Sequence, residues 1–427
     1  MKPTVLITAP VATRSGYGAR SRDVVRAILA TGKYNVKVFA VPWGATPQNA
    51  LVIDEPKDKA IIDVIVKDQN EVNTQPDIHI HIVVPNEFQP VGKYNIGITA
   101  GLEATVIPQS WIEGCNRMDL VLASSKFSVE VMEQTVYKNE QGQELKIQKP
   151  LDVLFEGADT EIYHRKKSGD EYSKVLVDAM DQVETSWNFL FVGHWLQGSI
   201  GKDRKDVGNL IRTFFTAFRN NKSTGLILKT SGASPCMMDR EDMLKKIKEV
   251  RSQCGIPASQ LPNVYLLHCD LYDDEVNDLY NHPKVKAHVT FTHGEGFGRP
   301  LLEASLSGKP VIAPNWSGHI DFLNKNNSSL IPGGLVKVEK ESLQENIYVE
   351  GQQWFQIDYR AAGQKMLHIR KNLKTYKNKG MKQMMYNTSK FSFKSMVTRL
   401  DKILTDRLPT FTETVVPKIN LPKLEKA

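Results

Sequence analysis

Short apolar runs recur along this chain, separated by stretches in which apolar residues return at helical spacing. Residues 4–9 alternate as a first strand. Ser15-Gly16-Tyr17-Gly18-Ala19-Arg20 follows, then a helical pattern of Val24, Val25, Ile28 and Leu29, with Gly32 as its natural stop. Residues 36–41 form a second strand, so the chain opens with a βαβ unit around a glycine turn. Ser21 stands where a full G-x-G-x-x-G would have its last glycine. Strand signals follow at 77–84, 95–99 and 119–125, the last running into a helix from 126 to about 135, and again at 152–155.

Residues 163–186 are polar and charged and read as a linker. The pattern then restarts. Residues 188–193 are a strand ending in glycine, and a helix from about 206 to 219 carries Val207, Leu210, Ile211, Phe214, Phe215 and Phe218 on one side. Later strands are expected at 225–229, 264–267 and 287–292, with helices between them. Such alternation predicts an α/β protein of parallel sheets covered on both faces. The expected division is a first domain at 1–162, the linker, a second domain at 187–390, a helix at 391–408 and a basic tail at 409–427.

Composition narrows this little. With 41% hydrophobic and 24% charged residues the chain is ordinary globular protein, and at 427 residues it exceeds one typical domain. No apolar run approaches the roughly 18 residues that span a bilayer, and the N-terminus is too short and strand-like for a signal peptide. Four cysteines without a C-x-x-C pair suit a reduced, cytoplasmic setting. The net charge of +7 is uneven. From Arg360 onward 16 Lys or Arg face 4 Asp or Glu, so the rest of the chain is net acidic. This basic segment is either a solvated helix face or a surface for a polyanion, nucleic acid or anionic membrane, the latter implying a peripheral location.

The most informative stretch is Thr292-His293-Gly294-Glu295-Gly296-Phe297-Gly298-Arg299-Pro300-Leu301-Leu302-Glu303-Ala304. Three alternate glycines lie between a strand and a helix whose first turn holds Pro300. The layout offers free amides and the positive end of a helix to an anion. Glu295 and Glu303 repel phosphates but accept hydrogen bonds from sugar hydroxyls. A ligand with both phosphates and vicinal hydroxyls is a nucleotide sugar.

This run resembles the E-x7-E signature of retaining glycosyltransferases, in particular family 4, and Gly308-Lys309-Pro310-Val311-Ile312-Ala313 continues the likeness. The resemblance implies a GT-B architecture: two Rossmann-like domains facing across a cleft, with the helix near 393–408 crossing back to the first. It implies that Glu295 meets the donor sugar and Glu303 the ribose, with Gly296, Phe297 and Gly298 on the donor side. Lys205 matches the donor-phosphate lysine, although Asp206 replaces the glycine that usually follows. His194 stands where an arginine is usual, which leaves Arg204 as the second cation. Gly16 and Gly18 match a glycine loop that approaches donor phosphates or acceptor. The usual His-Asp pair after strand 95–99 is missing, and Glu103 is the candidate to orient the acceptor hydroxyl. The implied co-substrate is a nucleoside-diphosphate sugar of unknown base, with no other cofactor. No D-x-D occurs in the chain, which suits metal-independent transfer.

Gly198-Ser199-Ile200-Gly201-Lys202 fails the phosphate-loop spacing. His79 and His81 share one strand face, as a packed or hydrogen-bonded pair or as part of a metal site. Ser124 and Ser125 either touch the donor side or cap the next helix. The acceptor remains open between a glycan, a lipid-linked sugar and a hydroxylated DNA base. A sugar-nucleotide epimerase and a non-catalytic sugar-nucleotide binder are the rivals.

Overall fold

The computed structural model describes residues 2–44, 46–67, 74–196, 198, 200–232 and 236–411. The expected tail therefore lies almost wholly outside the described residues. The first domain begins with β1 (Thr4–Ala9), α1 (Gly16–Thr31) and β2 (Asn35–Ala40). The Ser15 hydroxyl caps α1 by accepting from the Gly18 amide, and Gly32, at φ 63°, ends it. Next come α2 (Pro56–Ile62), β3 (Ile78–Ile82), β4 (Tyr94–Thr99), α3 (Gln109–Asn116), β5 (Leu120–Ala123) and α4 (Lys126–Gln134). A small antiparallel ribbon, β6 (Tyr137–Lys138) and β7 (Glu144–Leu145), precedes β8 (Leu151–Val153). The sheet is parallel, in the order β2-β1-β3-β4-β5-β8.

The second sheet has the order β11-β10-β9-β12-β13-β14, again parallel. Its elements are α5 (Lys174–Asp181), β9 (Trp187–Val192), α6 (Val207–Ala217), β10 (Thr224–Lys229), α7 (Met237–Gln253), β11 (Asn263–Leu267), α8 (Asp273–Asn281), β12 (Val285–Val289), α9 (Arg299–Ser305), β13 (Val311–Pro314) and β14 (Ser329–Ile331). Phe189, Phe214, Phe215, Phe218 and Phe291 fill one face of this sheet. The six apolar residues expected on one side of α6 are all buried. The stretch that reads as a linker carries α5, whose Leu176 and Met180 pack into the second domain with Tyr163 and Val183. Its apolar residues are too few and too spaced to stand out from the charges around them. The strand expected at 287–292 ends at Val289, because the Thr292 hydroxyl turns back to donate to the Gly294 carbonyl at 2.7 Å.

An antiparallel hairpin, β15 (Gly333–Lys337) and β16 (Gln353–Ile357), was not foreseen among parallel strands. With the loop between its strands it forms an arm that reaches the first domain. Thr105 N donates to Gln353 O at 2.9 Å, Gln352 Nε2 to Val106 O at 2.8 Å, and Trp111 Nε1 to Asn346 O at 2.7 Å. Tyr348 and Trp354 bury in the same core as Trp111 and Ile107. The chain closes with α10 (Tyr359–Lys371), α11 (Leu373–Lys390) and α12 (Phe393–Arg407). Met396, Leu400, Ile403 and Leu404 of α12 return to the first-domain core. Each such side chain contributes about 2 kcal/mol of burial. The arrangement is the GT-B architecture, and it brings the C-terminal edges of the two sheets together.

Candidate active site

Lys205 and Arg204 sit in the loop between β9 and α6. The loop turns at Asp206, which has φ 50° and ψ 40°. That left-handed conformation explains why glycine is usual at this position, and Asp is among the few other residues that visit it. Its carboxyl is held by Tyr359 Oη at 2.6 Å and Asn209 Nδ2 at 2.8 Å. Burial pushes the Asp206 carboxyl well above the usual range, against those two hydrogen bonds.

The turn aims both cations at Glu295. Lys205 Nζ lies 2.5 Å and Arg204 Nη1 3.4 Å from its two oxygens. Glu295 is 7% exposed. Burial alone would raise its pKa, but Lys205 and Arg204 override burial and hold it at about 2. Burial lowers Lys205, and Arg204 adds to this, while Glu295 opposes both. The same Arg204 nitrogen also meets the first domain. It is 2.7 Å from Glu103 Oε1, which also accepts from Tyr348 Oη at 2.8 Å. Two cations and two carboxylates thus alternate across the cleft.

The glycines between Glu103 and Glu295 make this closeness possible. A Cβ on Gly296 would stand 2.3 Å from the Ala100 carbonyl, and one on Gly294 2.6 Å from Glu103 Cβ. What the sequence suggests as room for a ligand serves here as room for the facing domain. Gly298, at φ 96°, turns the chain into α9. The Phe297 side chain, expected on the donor side, lies in the core of the second domain. It is 2% exposed and packs on Phe322 and Phe391, because its apolar ring belongs to the core under the loop.

Glu303, 6% exposed, accepts from Arg299 Nε at 2.8 Å. Burial pushes its pKa up to about 8, with Arg299 opposing and Asp273 adding to the rise. Arg299 also pairs with Asp23 of α1 and stands 3.9 Å from Glu156, so it ties the two domains together. Sequence reasoning missed Arg299 and Tyr348. Arg299 lies inside the informative stretch, a charge at the start of a helix that buries most of its surface. Tyr348 carried no signal, since its partner is 245 residues away.

Gly16 opens α1 with free space beside its Cα. Gly18, expected to approach the donor phosphates or the acceptor, has its amide taken by Ser15 Oγ at 2.9 Å, and its missing Cβ makes room for the Thr13 carbonyl. Between them Tyr17 stacks on Trp43, and its hydroxyl meets Thr99 Oγ1 at 2.9 Å and the Ala100 amide at 3.2 Å. This loop therefore abuts the backbone that faces Gly296. Ser125 caps α4, and Ser124 Oγ is 3.3 Å from Glu156 Oε1. His79 and His81 pack side by side with ring centroids 5.5 Å apart, His79 Nε2 meeting Thr8 Oγ1 at 2.9 Å and His81 Nδ1 accepting from Gln89 N at 3.1 Å, and burial lowers both to about 4. Among the described residues no group of three or more His, Cys, Asp or Glu is placed to hold a metal ion, and no helix is long and apolar enough to cross a membrane. Lys371, Lys374, Lys377, Lys379 and Lys382, in and around α11, are exposed.

No protein-family model matches the chain, and no curated protein does. Solved structures share the fold. Anabaena HepE in complex with UDP and glucose has a TM-score of 0.60 at 13% identity, over 95% of this chain and 100% of that one. Sucrose-phosphate synthase from Thermosynechococcus elongatus has a TM-score of 0.62 at 12% identity, over 95% and 99%. A glycosyltransferase from Rickettsia africae has a TM-score of 0.58 at 12% identity, again over 95% and 99%. At these identities the likeness establishes the fold.

Proposed function

We propose that this protein is a retaining glycosyltransferase that moves a sugar from a nucleoside-diphosphate sugar to a hydroxyl acceptor. The observation that carries the reading is the meeting of Lys205, Arg204 and Glu295 at the C-terminal edge of the second sheet. These cations are engaged by Glu295 and Glu103. An incoming diphosphate competes for both cations and releases Glu295 toward the sugar hydroxyls, while Glu303 accepts from the ribose diol. The bond between the anomeric carbon and the diphosphate oxygen breaks with its electron pair staying on that oxygen. Arg204 and Lys205 stabilise the charge that grows there, where fixed donors act most strongly. The acceptor oxygen bonds to the anomeric carbon from the same face, and its proton leaves with the diphosphate. Glu103 on the first domain orients the acceptor hydroxyl. Closure of the two edges excludes water.

Protein cations carry this chemistry, so turnover is expected to survive chelation. Because the HepE structure holds UDP and glucose, UDP-glucose is the first donor to try. The test is a thermal-shift screen of nucleotide sugars, since a ligand that binds the native state raises its stability. A transfer assay with labelled donor follows. No stabilisation by any nucleotide or nucleotide sugar would sink the reading. Epimer formation without transfer would move it to an epimerase, and binding without either to a non-catalytic protein. The exposed lysines around α11 support a polyanion contact, as for an acceptor on DNA. Duplex DNA should then bind with an affinity that falls steeply with salt; binding only to anionic vesicles would point to a membrane-side acceptor.

A further inference from the structure

Beside Lys205 and Glu295 the second domain has a small, partly open cavity of about 20 Å³, lined also by Leu190, Tyr280, His288 and Thr290. Among the described residues, Tyr280 Oη and His288 Nδ1 are buried without a hydrogen-bond partner, and Thr290 Oγ1 accepts from the Thr292 amide at 3.3 Å, which leaves its second lone pair unused. Two orphaned polar atoms and a half-used hydroxyl around one cavity point to something that joins them, because buried polar groups are almost always paired.

The local hydrogen bonds assign the protons. Ser307 Oγ donates its one hydrogen to the Ala304 carbonyl at 2.7 Å, so it accepts from His288 Nε2 at 3.4 Å. The neutral imidazole then carries its proton on Nε2, and Nδ1 is a bare acceptor. Burial, with Lys309 nearby, keeps that ring neutral. Tyr280 and Thr290 each bring a hydroxyl. Lys205 brings an ammonium with three donors, one of which goes to Glu295. A cavity needs about 10–15 Å³ to hold one water molecule, and the water needs two to four polar partners. The space and the lining meet both conditions.

We infer that one ordered water occupies this cavity, accepting from Lys205 Nζ and Tyr280 Oη and donating to His288 Nδ1 and Thr290 Oγ1, and that Tyr280, His288 and Thr290 are thereby positioning residues for the Lys205 ammonium. The importance of that ammonium rests on the proposed role of Lys205 as the donor-phosphate cation. The groups that bear on its charge are Arg204 beside it, Glu295 from the loop before α9, Glu103 from the first domain, His194 at the end of β9 and His319 beyond β13. Arg204 disfavours the charge and Glu295 takes one of the three ammonium donors, so the water supplies the further acceptor that bulk solvent supplies to an exposed lysine.

Two measurements test this on the full chain without using activity. The first is a crystal structure of the nucleotide-free protein, in which a density peak within hydrogen-bonding reach of His288 Nδ1 is expected. The second is the Lys205 titration followed by NMR of lysine labelled at Cε. Thr290→Val removes a hydroxyl without changing shape and should lower the Lys205 pKa by about one pH unit, a tenfold change in its protonation equilibrium. Tyr280→Phe should act in the same direction, and Thr290→Ser should restore the wild-type titration. A dry cavity, or an unchanged Lys205 titration in both Thr290→Val and Tyr280→Phe, overturns the inference. UDP binding by calorimetry is scored separately: its absence in wild type refutes the donor role of Lys205 and leaves the water site to be judged on density and titration.

Discussion

Replacing Glu303 by glutamine should change how stability depends on pH, in a direction opposite to that usual for a carboxylate. The carboxyl is buried, and folding carries its pKa from 4.5 to about 8, chiefly through burial, with Arg299 opposing. Between those values the native state keeps a proton that the unfolded chain has released. Stability therefore falls as pH rises across this window and levels off above about pH 8. Below about pH 4.5 both states hold the proton and the group has no effect. Each pH unit is worth about 1.4 kcal/mol, so the full window sets an upper bound of about 5 kcal/mol. Relaxation around a newly charged carboxylate, helped by Arg299, reduces this toward about 2 kcal/mol. Glutamine cannot ionise, and its carbonyl oxygen can still accept from Arg299 Nε. Urea denaturation of wild type and Glu303→Gln at pH 5, 7 and 9 is the assay. The two proteins should agree within about 1 kcal/mol at pH 5, with the variant the more stable by about 2–5 kcal/mol at pH 9. Parallel stability curves across the range would refute the argument. At pH 9, where the wild-type carboxylate is ionised, the same variant should bind nucleoside diphosphate roughly ten- to a hundredfold more weakly, the worth of a charged hydrogen-bond acceptor. An altered pH curve with unchanged nucleotide affinity would keep the electrostatics and remove the ribose assignment.

Lys205→Ala should lower turnover by about 10²–10³-fold; equal activity in the variant would shift the phosphate role to Arg204. Gly296→Ala drives a methyl group into the Ala100 carbonyl, so it should cut turnover by roughly tenfold or more while sparing affinity for free nucleotide; steady-state kinetics beside calorimetry decides this, and wild-type turnover would mean that the closed contact is dispensable. Asp206→Ala puts a residue that disfavours the left-handed conformation at this turn and loses the hydrogen bonds to Tyr359 and Asn209. It should destabilise the fold by about 1–3 kcal/mol in urea denaturation, and an unchanged midpoint would show that the turn tolerates any side chain.

The sequence by itself determined the parts of this protein that depend on near neighbours. Period-two and helical patterns located β1, α1, β4, α4, β9 and α6, because strand faces and helix stripes are written within a few residues. The spacing of Glu295 and Glu303 around three glycines was legible for the same reason: strand, loop and helix start are consecutive. Tertiary structure alone decided how those residues are packed. It turned Phe297 into the core, spent the Gly18 amide on a helix cap and closed Gly296 against the facing domain. It also supplied the partners that tune the charges. Glu103, Tyr348, Asp23 and Arg299 come from elements far apart in the chain, and no local pattern records such pairings. The arm between β15 and β16 and the helix α5 were illegible for a related reason, since their few apolar residues acquire meaning only from the surfaces they cover. Burial, finally, is a property of the packed molecule. Two glutamates eight residues apart in one short stretch titrate at about 2 and about 8, because one lies between two cations and the other shares a single arginine with competing carboxylates.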